Sequence, residues 1–215
     1  MNVSNPYVDL LNYRRSVAEI YAAVRQGAHD PLASWLAFRS GRDALFRAHP
    51  QSALSDLQKH NFDGLRYYNY DPAFRFLLPI DPDVEPVVFE IALEHDGVVR
   101  IQRCGRVSFQ IGGQTVALSL FWILGYGGGI FVPFRDQTNS NGTYGGGRYL
   151  LDTIKHADLG QADGRVVIDF NFAYNPSCAY NSRWQCPLAP AENRLPVAIP
   201  AGEQDFVAAQ DATIE

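Results

Sequence analysis

The feature that most constrains the fold is a change of hydrophobic period near Leu65. Beyond it, apolar and polar residues alternate in "PVVFEIALEH", "GRVSFQI" and "QTVALSLFW", as they do when successive side chains point to opposite faces of a strand. Turn sequences separate such segments: "HDG" at 95–97, "GG" at 112–113 and "DG" at 163–164. The pattern predicts half-buried antiparallel strands in a meander that closes into a barrel or roll.

Two helices are predicted before this region. Asn5 and Asp30 each precede a proline, which places a capping side chain ahead of a proline at the first helical position. We expect the helices to end at Gly27 and before Pro50. The apolar residues of the second helix fall near one face: Leu32, Trp35, Leu36, Phe38, Leu45 and Phe46. This stripe predicts a helix that covers one face or the mouth of the barrel.

Length and composition favour one main folding unit. A chain of 215 residues can bury a substantial core, and 18 glycines and 13 prolines with 13% aromatic residues are typical of strands joined by tight turns. We therefore predict a mainly β (α+β) fold. Its parts are a helical segment at residues 1–50, an antiparallel barrel or roll at 51–203 and a frayed tail at 204–215.

Charge and hydropathy argue against two classes of partner. The net charge is −5 and no basic run occurs, so a nucleic-acid surface is not expected. The most apolar window, 116–132, is broken by Ser119 and a glycine cluster, so no membrane span is expected. The N-terminal sequence does not look like a secretory signal, which predicts a cytoplasmic location. The sequence is compatible with a homodimer.

Familiar catalytic and phosphate-binding motifs are missing. The peptide "YGGG" occurs at 126–129 and 144–147, but neither copy fits a phosphate loop, and positive φ at turns explains such glycines. The sequence also contains no G-x-S-x-G, no H-E-x-x-H and no S-x-x-K with its partner motifs. We therefore expect a function that needs no cofactor.

The cysteines do not have the spacing of a zinc site. Cys178 and Cys186 are separated by seven residues, whereas zinc sites favour closer pairs, and the third cysteine is Cys104. A disulfide between the first two is sterically possible, but the predicted compartment is reducing. The favoured interpretation is thiols that pack in a loop, with no metal bound.

A polar loop with two arginines is one candidate part of a site. The segment "FRDQTNSNGTYGGGRYLLD" contains Arg135, Asp136, Tyr144 and Arg148. A guanidinium beside a glycine-lined backbone can hold a carboxylate or enolate-like oxygen, with Tyr144 as a hydroxyl donor. The alternative is that these residues only tie the loop down.

A carboxylate on a predicted strand is the other candidate. In "RVVIDFNFAY" the alternation places Asp169 and Asn171 on the same face. If that face points into the barrel, Asp169 must pair with an arginine or be partly protonated, and both states are useful in catalysis. If it points outward, the pair is only a solvated surface.

Several uncommon peptides resemble a known family. They are "W-x-x-FR-x-x-RD-x-LF-x-x-HPQSAL", "FRD-x-T", "TYGGGRYLLD", "DFNFAYNPSCAY", "CPLAPAENRLPVAI" and "AGE", in this order between Trp35 and Glu203. The chain resembles the bacterial domain-of-unknown-function family 1684. This resemblance implies no activity and assigns a role to no residue.

The first functional hypothesis is a cofactor-independent enzyme that binds a small molecule. Asp169 would be the acid or base, Arg135 or Arg148 the oxyanion clamp, and Tyr144 the neighbouring donor. The loops 135–148 and 174–193 would form the mouth of the site. The expected substrate-binding residues are Asn171, Tyr174, Asn175, Asp136, Trp184, Glu192 and Asn193.

Two alternatives remain open at this point. The first is a non-catalytic binding protein for an aromatic or apolar ligand, held among Tyr67, Tyr68, Tyr70, Phe74 and Phe76. The weaker one is a metal-dependent enzyme that uses Asp136, Asp169, His156 and a cysteine.

Overall fold

The computed structural model describes residues 5–207, and three helices occupy its N-terminal part. They are α1 (Pro6–Gln26), α2 (Pro31–Ala48) and α3 (Asp56–His60). The predicted caps of the first two are confirmed. The Asn5 side chain accepts from the backbone N of Tyr7 at 3.0 Å, and the Asp30 side chain accepts from Ala33 at 3.1 Å. These bonds satisfy donors that the first helical turn leaves free.

Within residues 5–207, eight strands form two antiparallel sheets. In chain order they are β1 (Arg75–Leu78), β2 (Val88–Leu93), β3 (Gly97–Ile111), β4 (Gln114–Ile123), β5 (Ile130–Phe134), β6 (Arg148–Asp152), β7 (Gln161–Ala162) and β8 (Arg165–Asp169). The larger sheet has the order β2-β3-β4-β5-β6, and the smaller one has the order β1-β8-β7. The meander in the larger sheet is the one that the alternating sequence predicts.

The predicted mainly β fold with N-terminal helices packed on a roll is confirmed, but the described strands do not close into a barrel. Strand β1 pairs with β8 and not with an edge of the larger sheet. Strands β5 and β6 are five residues long, and Pro133 within β5 has no N–H to donate to a ladder. The two sheets therefore remain separate layers. Residues of both sheets pack into one hydrophobic core.

Helix α2 packs on this core through a narrower stripe than predicted. Trp35 and Phe38 are buried, and the Phe38 ring lies 5.0 Å from that of Phe172. Leu32 and Leu36, in contrast, are 49% and 53% exposed. At 100° per residue both lie well round the helix from the buried side, so assigning them to the same face was wrong.

The chain beyond Pro196 belongs to no helix or strand within the described residues, bends at Gly202 and passes through the core. Val197, Ile199, Ala201 and Glu203 are buried at every second position. Backbone hydrogen bonds hold this segment on both sides, for example from Glu203 N to Ala173 O at 2.9 Å. The predicted tail begins one residue later. Its first residues still bond to the fold, with Gln204 N donating to Arg66 O at 2.8 Å. Residues 208–215 lie outside the described part of the chain.

Candidate functional site

Arg148, a predicted oxyanion clamp, is instead the centre of a buried polar cluster. Its guanidinium is 0% exposed. Nη2 donates to Asp136 Oδ2 at 2.9 Å and to the Ile199 carbonyl at 3.0 Å, and Nη1 donates to the carbonyls of Ala201 and Glu203. We call these residues the Arg148 centre. The contacts are those of the structural tie, and Nε has no partner within residues 5–207. Arg148 itself lines neither cavity described below, and of the cluster only Glu203 lines one of them, the wider groove.

The second carboxylate oxygen of Asp136, Oδ1, accepts further hydrogen bonds in the Arg148 centre. Oδ1 accepts from the backbone N of Thr138 at 2.8 Å and from the backbone N of Ile199 at 3.1 Å. Burial lowers the pKa of Arg148, and the neighbouring carboxylate of Asp136 opposes that shift. The cluster therefore joins the 136–143 loop to the C-terminal segment, and its polar atoms are directed at the protein itself.

Asp169, the predicted acid or base, lies at the end of β8 and is 1% exposed. Its Oδ1 accepts from the backbone and side-chain nitrogens of Asn171 at 3.0 and 2.9 Å. Its Oδ2 lies 3.7 Å from Arg75 Nε and accepts no hydrogen bond from residues 5–207. Burial raises the pKa of Asp169 to about 6. The arginine beside it is Arg75, whereas Arg148 pairs with Asp136, so the structure does not bring the predicted set together.

Three other predicted binding residues hold the backbone or an arginine. The Asn171 amide donates to Asp71 O at 2.8 Å and accepts from Asp71 N at 2.9 Å. The Asn193 amide, fully buried, donates to the carbonyls of Ser119 and Pro133. The carboxylate of Glu192 pairs with Arg103, which lowers its pKa. These side chains fix loops against the sheets.

Arg135 and Tyr144 make their hydrogen bonds with parts of the chain other than Asp169. The backbone of Arg135 donates to Asn193 O at 2.9 Å and accepts from Leu195 N at 2.8 Å. The Tyr144 hydroxyl donates to Cys178 Sγ at 3.6 Å, and burial raises the pKa of this tyrosine. Tyr144 therefore belongs with the cysteine loop.

A partly open cavity of about 320 Å³ lies between α1, α2, β6 and the loop 174–186. It contains three of the predicted binding residues, Tyr174, Asn175 and Trp184. We call it the tyrosine pocket. Its other aromatic and polar lining residues are Tyr13, Arg14, Tyr21, Arg42, Phe46, Gln51, Tyr149, Asp152, Lys155, Ser177, Tyr180, Gln185 and Cys186.

Arg42, from α2, is the best-positioned charged group of the tyrosine pocket. Its Nε donates to the Tyr67 hydroxyl at 2.9 Å, and its Nη2 donates to Glu203 Oε2 at 2.9 Å. The guanidinium also lies 5.2 Å from the ring centre of Tyr174. Within the described residues, Nη1 makes no hydrogen bond. One end of the guanidinium is therefore fixed while the other keeps donors for a ligand.

Glu203 anchors Arg42 from behind. Its carboxylate accepts from Arg42, from the Tyr180 hydroxyl and from the backbone N of Asn175 at 3.1 Å. Burial raises the pKa of Glu203, and the Arg42 charge opposes that shift. Burial also raises the pKa values of Tyr174 and Tyr180, so these phenols stay protonated donors near neutral pH.

Two buried polar atoms of the tyrosine pocket lack a partner within residues 5–207. They are the Tyr21 hydroxyl and the Asn175 side-chain oxygen. Such groups cost free energy unless a ligand or water satisfies them. Charge is also unevenly distributed. Three cations, Arg14, Arg42 and Lys155, face two carboxylates, Asp152 in the lining and Glu203 behind Arg42. The pocket is therefore locally cationic in a chain whose net charge is −5.

A wider groove of about 810 Å³ lies on the other side of Tyr180. Its walls include Arg66, Asn181 and Asp205, and it extends to Val207, the last described residue. Its lining is more polar than that of the tyrosine pocket. Because bound small molecules are mostly enclosed by apolar and aromatic walls, the tyrosine pocket is the better candidate site.

The structure gives less support to the other two hypotheses, the metal site and the aromatic ligand cage. Within residues 5–207, no group of three or more histidine, cysteine or acidic side chains could hold a metal ion. The aromatic residues of the predicted ligand cage mostly pack in the protein: Tyr70 lies against Trp35, and Phe76 lies 4.7 Å from Phe109. Over the same residues, no helix is long and apolar enough to cross a membrane.

Sequence reasoning missed three components of the tyrosine pocket. Helix α1 lines the pocket with Leu10, Tyr13, Val17 and Tyr21. Their spacing is that of one helix face, and the two tyrosine hydroxyls give this face polar groups that a core-packing stripe would not need. Arg42 stands in the peptide "FRSGRDALF", which contributes to the family resemblance but carries no sequence signal for a binding site. Glu203 follows a segment whose buried alternation was not recognised.

Comparison with known proteins gives a family and a solved relative. The sequence profile described as "Protein of unknown function (DUF1684)" matches residues 60–204, which leaves α1 and α2 outside the matched range. An uncharacterized protein of Haloarcula marismortui, solved by NMR in solution, is 33% identical. The similarity covers 83% of this chain and 96% of that protein, with a TM-score of 0.60. No curated protein matches the sequence.

Proposed function

The chain belongs to the DUF1684 family of proteins of unknown function, and from its geometry we propose that it binds a small organic anion with an aromatic or apolar body in the tyrosine pocket. The observation that carries this proposal is a partly open cavity of about 320 Å³ with a largely buried arginine, Arg42, in its wall, of which only part is hydrogen-bonded to the protein. The expected cytoplasmic location is part of the same proposal.

The walls suit an apolar or aromatic body. Tyr13, Tyr149, Tyr174 and Trp184 supply ring surfaces, and such surfaces contribute most of the contact area in small-molecule sites. The volume lies at the lower end of the range of about 300–1,000 Å³ found for ligand pockets. A compact molecule of one or two rings therefore fits this cavity better than an extended one.

The polar groups select an anion. Arg42 is held on one side by Glu203 and Tyr67, so little side-chain entropy is lost when its free nitrogen binds a carboxylate or sulfonate. Lys155, at the same cavity, adds a second positive charge, although it also lies 3.4 Å from Asp152. The free oxygen of Asn175 would accept from a hydroxyl or amine on the ligand.

The acid–base scheme receives no support from these contacts. Asp169 lies beside Arg75, Arg148 is enclosed by Asp136 and backbone carbonyls, and Tyr144 donates to Cys178. A reacting group placed near one of them would not have the other two as neighbours. Binding is thus the function that the geometry supports, with no catalytic step assigned.

Phenylacetate and its uncharged isostere phenylacetamide provide the test. We expect calorimetric titration to show that phenylacetate binds at least about tenfold more tightly, because only the anion can pair with Arg42, and tenfold corresponds to about 1.4 kcal/mol. Arg42→Gln should remove this preference. The matched control is Arg47→Gln on the same helix, since Arg47 is exposed, stacks over Phe62 and lies outside the cavity.

Equal binding of the acid and the amide would contradict the proposal, as would an Arg42→Gln protein that still prefers the acid. Failure of phenylacetate, indole-3-acetate and naphthalene sulfonate to bind at millimolar concentration would also contradict it. Circular dichroism of each variant separates loss of binding from loss of folding.

A further inference from the structure

Two cysteines meet beside the tyrosine pocket. The backbone N of Cys178 donates to Cys186 Sγ at 3.4 Å, and Cys186 is one of the residues that line the cavity. Both side chains are partly buried and both thiols are free. The third thiol, Cys104, is exposed on β3 and donates to Leu120 O. The paired thiols therefore have a different environment from the isolated one.

The environment of the two thiols is asymmetric. The neighbouring Cys178 thiol, the backbone N–H groups of Cys178 and Ser177 and the Lys155 charge together lower the pKa of Cys186 to about 6. The neighbouring Cys186 in turn raises the pKa of Cys178. One thiol is thus prepared to be a thiolate and the other to remain protonated beside it.

We propose that Cys186 and Cys178 form a dithiol site that exchanges with a small organic disulfide entering through the tyrosine pocket. Cys186 is the attacking residue because it faces the cavity. Cys178 is the resolving residue because it is adjacent to Cys186 and receives a hydrogen bond from Tyr144 on its other side. The proposal does not depend on anion binding.

The exchange has two balanced steps. The Cys186 thiolate attacks one sulfur of a disulfide RSSR, which forms a Cys186–S–S–R bond and releases RS⁻. Cys178 then loses its proton and attacks the Cys186 sulfur, which forms the Cys178–Cys186 bond and releases a second RS⁻. Both leaving thiolates take up protons at neutral pH. The protein is oxidised by two electrons, and RSSR is reduced to two RSH.

The site also explains two contacts that the binding proposal leaves unused. Tyr144 and Tyr149 both lie against the cysteine pair, and burial raises the pKa of each phenol, so both remain neutral donors. Tyr144 donates to Cys178 Sγ and Tyr149 donates to Pro187 O, so neither phenol forms an ion pair with the Cys186 thiolate. Tyr149 itself is fixed by a 2.7 Å hydrogen bond to Pro187 O.

Oxidised glutathione added to the fully reduced protein at pH 7 tests the inference. After acid quenching, peptide mass spectrometry should find the Cys178–Cys186 disulfide in the wild-type protein, with Cys104 unmodified. Cys178→Ser should accumulate a stable glutathione adduct on Cys186. Cys186→Ser should react at least about tenfold more slowly at Cys178, and Cys104→Ser, the matched control, should behave as wild type.

The pH profile supplies a readout that a merely structural pair would not give. Alkylation of Cys186 by iodoacetamide should be half-maximal near pH 6, whereas alkylation of Cys104 should still rise above pH 8, because burial raises its pKa. In urea the three thiols should react alike.

The inference is overturned if glutathione goes mainly to Cys104, if Cys178→Ser leaves Cys186 unmodified, or if the wild-type protein keeps three thiols. Peptide mapping of the wild-type protein needs no variant, so a misfolded serine variant would not obscure the result.

Discussion

Two arginines form ion pairs in the interior, Arg148 fully buried and Arg42 with 11% of its side chain exposed, and their surroundings differ in one decisive way. Arg148 donates to a carboxylate and three backbone carbonyls, and lines no described cavity. Arg42 donates to Glu203 and to two tyrosines, its Nη1 makes no hydrogen bond within residues 5–207, and the residue lines a cavity of about 320 Å³. Each arginine forms an ion pair with a carboxylate from another segment of the chain: Arg42 of α2 with Glu203, and Arg148 of β6 with Asp136.

The comparison shows that burial and charge do not by themselves identify a site. Both terminal nitrogens of Arg148 donate to the protein, and its Nε, which has no partner within residues 5–207, is buried in a residue that lines no cavity, so the Arg148 centre can only hold segments together. Arg42 is half saturated, so its charge is positioned but still available. What separates the two is an unused donor beside empty space. Substituting lysine at both positions is a direct test, since it keeps the charge and removes the planar fork.

The largest effect is expected for Arg148→Lys. An ammonium has three donors at one point and cannot reach four acceptors that the guanidinium spans, so at least one buried carbonyl loses its partner. We expect the free energy of unfolding to fall by about 4 kcal/mol in urea denaturation.

Arg100→Lys is the control for this measurement. Arg100 is 62% exposed and pairs with Glu90 at 2.9 Å, so its replacement should change stability by less than about 0.5 kcal/mol. An Arg148→Lys protein as stable as the control would show that water or rearrangement satisfies the centre, and the contrast with Arg42 would disappear.

An intermediate effect is expected for Asp169→Asn, a buried carboxylate whose partners are incomplete. Its pKa is raised to about 6 in the folded protein, from an ordinary value of 3.8. The folded state thus binds this proton more tightly than the unfolded state. That stabilisation is complete below about pH 4 and is lost as the pH rises through about 6.

The asparagine variant has no such proton. Its stability relative to the wild-type protein should therefore increase between pH 4 and pH 7, by at most about 3 kcal/mol, since each pKa unit corresponds to about 1.4 kcal/mol. Urea denaturation of both proteins at several pH values measures this difference, because all other groups titrate alike in the two. A difference that is constant, or that falls with pH, would mean that Arg75 keeps the carboxylate fully ionised.

The smallest effect is expected for Arg42→Lys. The cavity admits water to the ammonium, and Glu203 keeps the hydrogen bonds from Tyr180 and Asn175. We expect a loss of about 1 kcal/mol in the free energy of unfolding. A loss as large as that at Arg148 would mean that Arg42 is also held mainly by the protein. The contrast between the two arginines would then disappear.

Much of the architecture could be predicted from local patterns. The caps at Asn5 and Asp30 and the turn at Gly97 follow from short-range chemistry, and the structure confirms them. Closure into a barrel could not be decided in this way. It depends on whether β1 pairs with the larger sheet, and long-range strand pairing leaves no signature in an alternating sequence.

The candidate site was predicted only in part, for a related reason. Tyr174, Asn175 and Trp184 come from one polar loop, and a cluster in sequence pointed to them. Arg42 and Glu203 are separated by 161 positions and meet only in the folded chain. The expectation that Asp169 would lie near the arginines of 135–148 rested on shared polarity, whereas its neighbour Arg75 is placed by the pairing of β1 with β8.

The position of the C-terminal segment in the core has a consequence for synthesis on the ribosome. Chains emerge from their N-terminus, so α2 appears long before residues 197–203. Until then Arg148 lacks its carbonyl acceptors and Arg42 lacks Glu203, although both arginines have already been translated. The nascent protein should therefore expose the apolar face around Trp35 and Phe38 through most of its translation. Ribosome-bound chains that end before Ile199 should recruit chaperones, and chains extended well past Glu203 should release them.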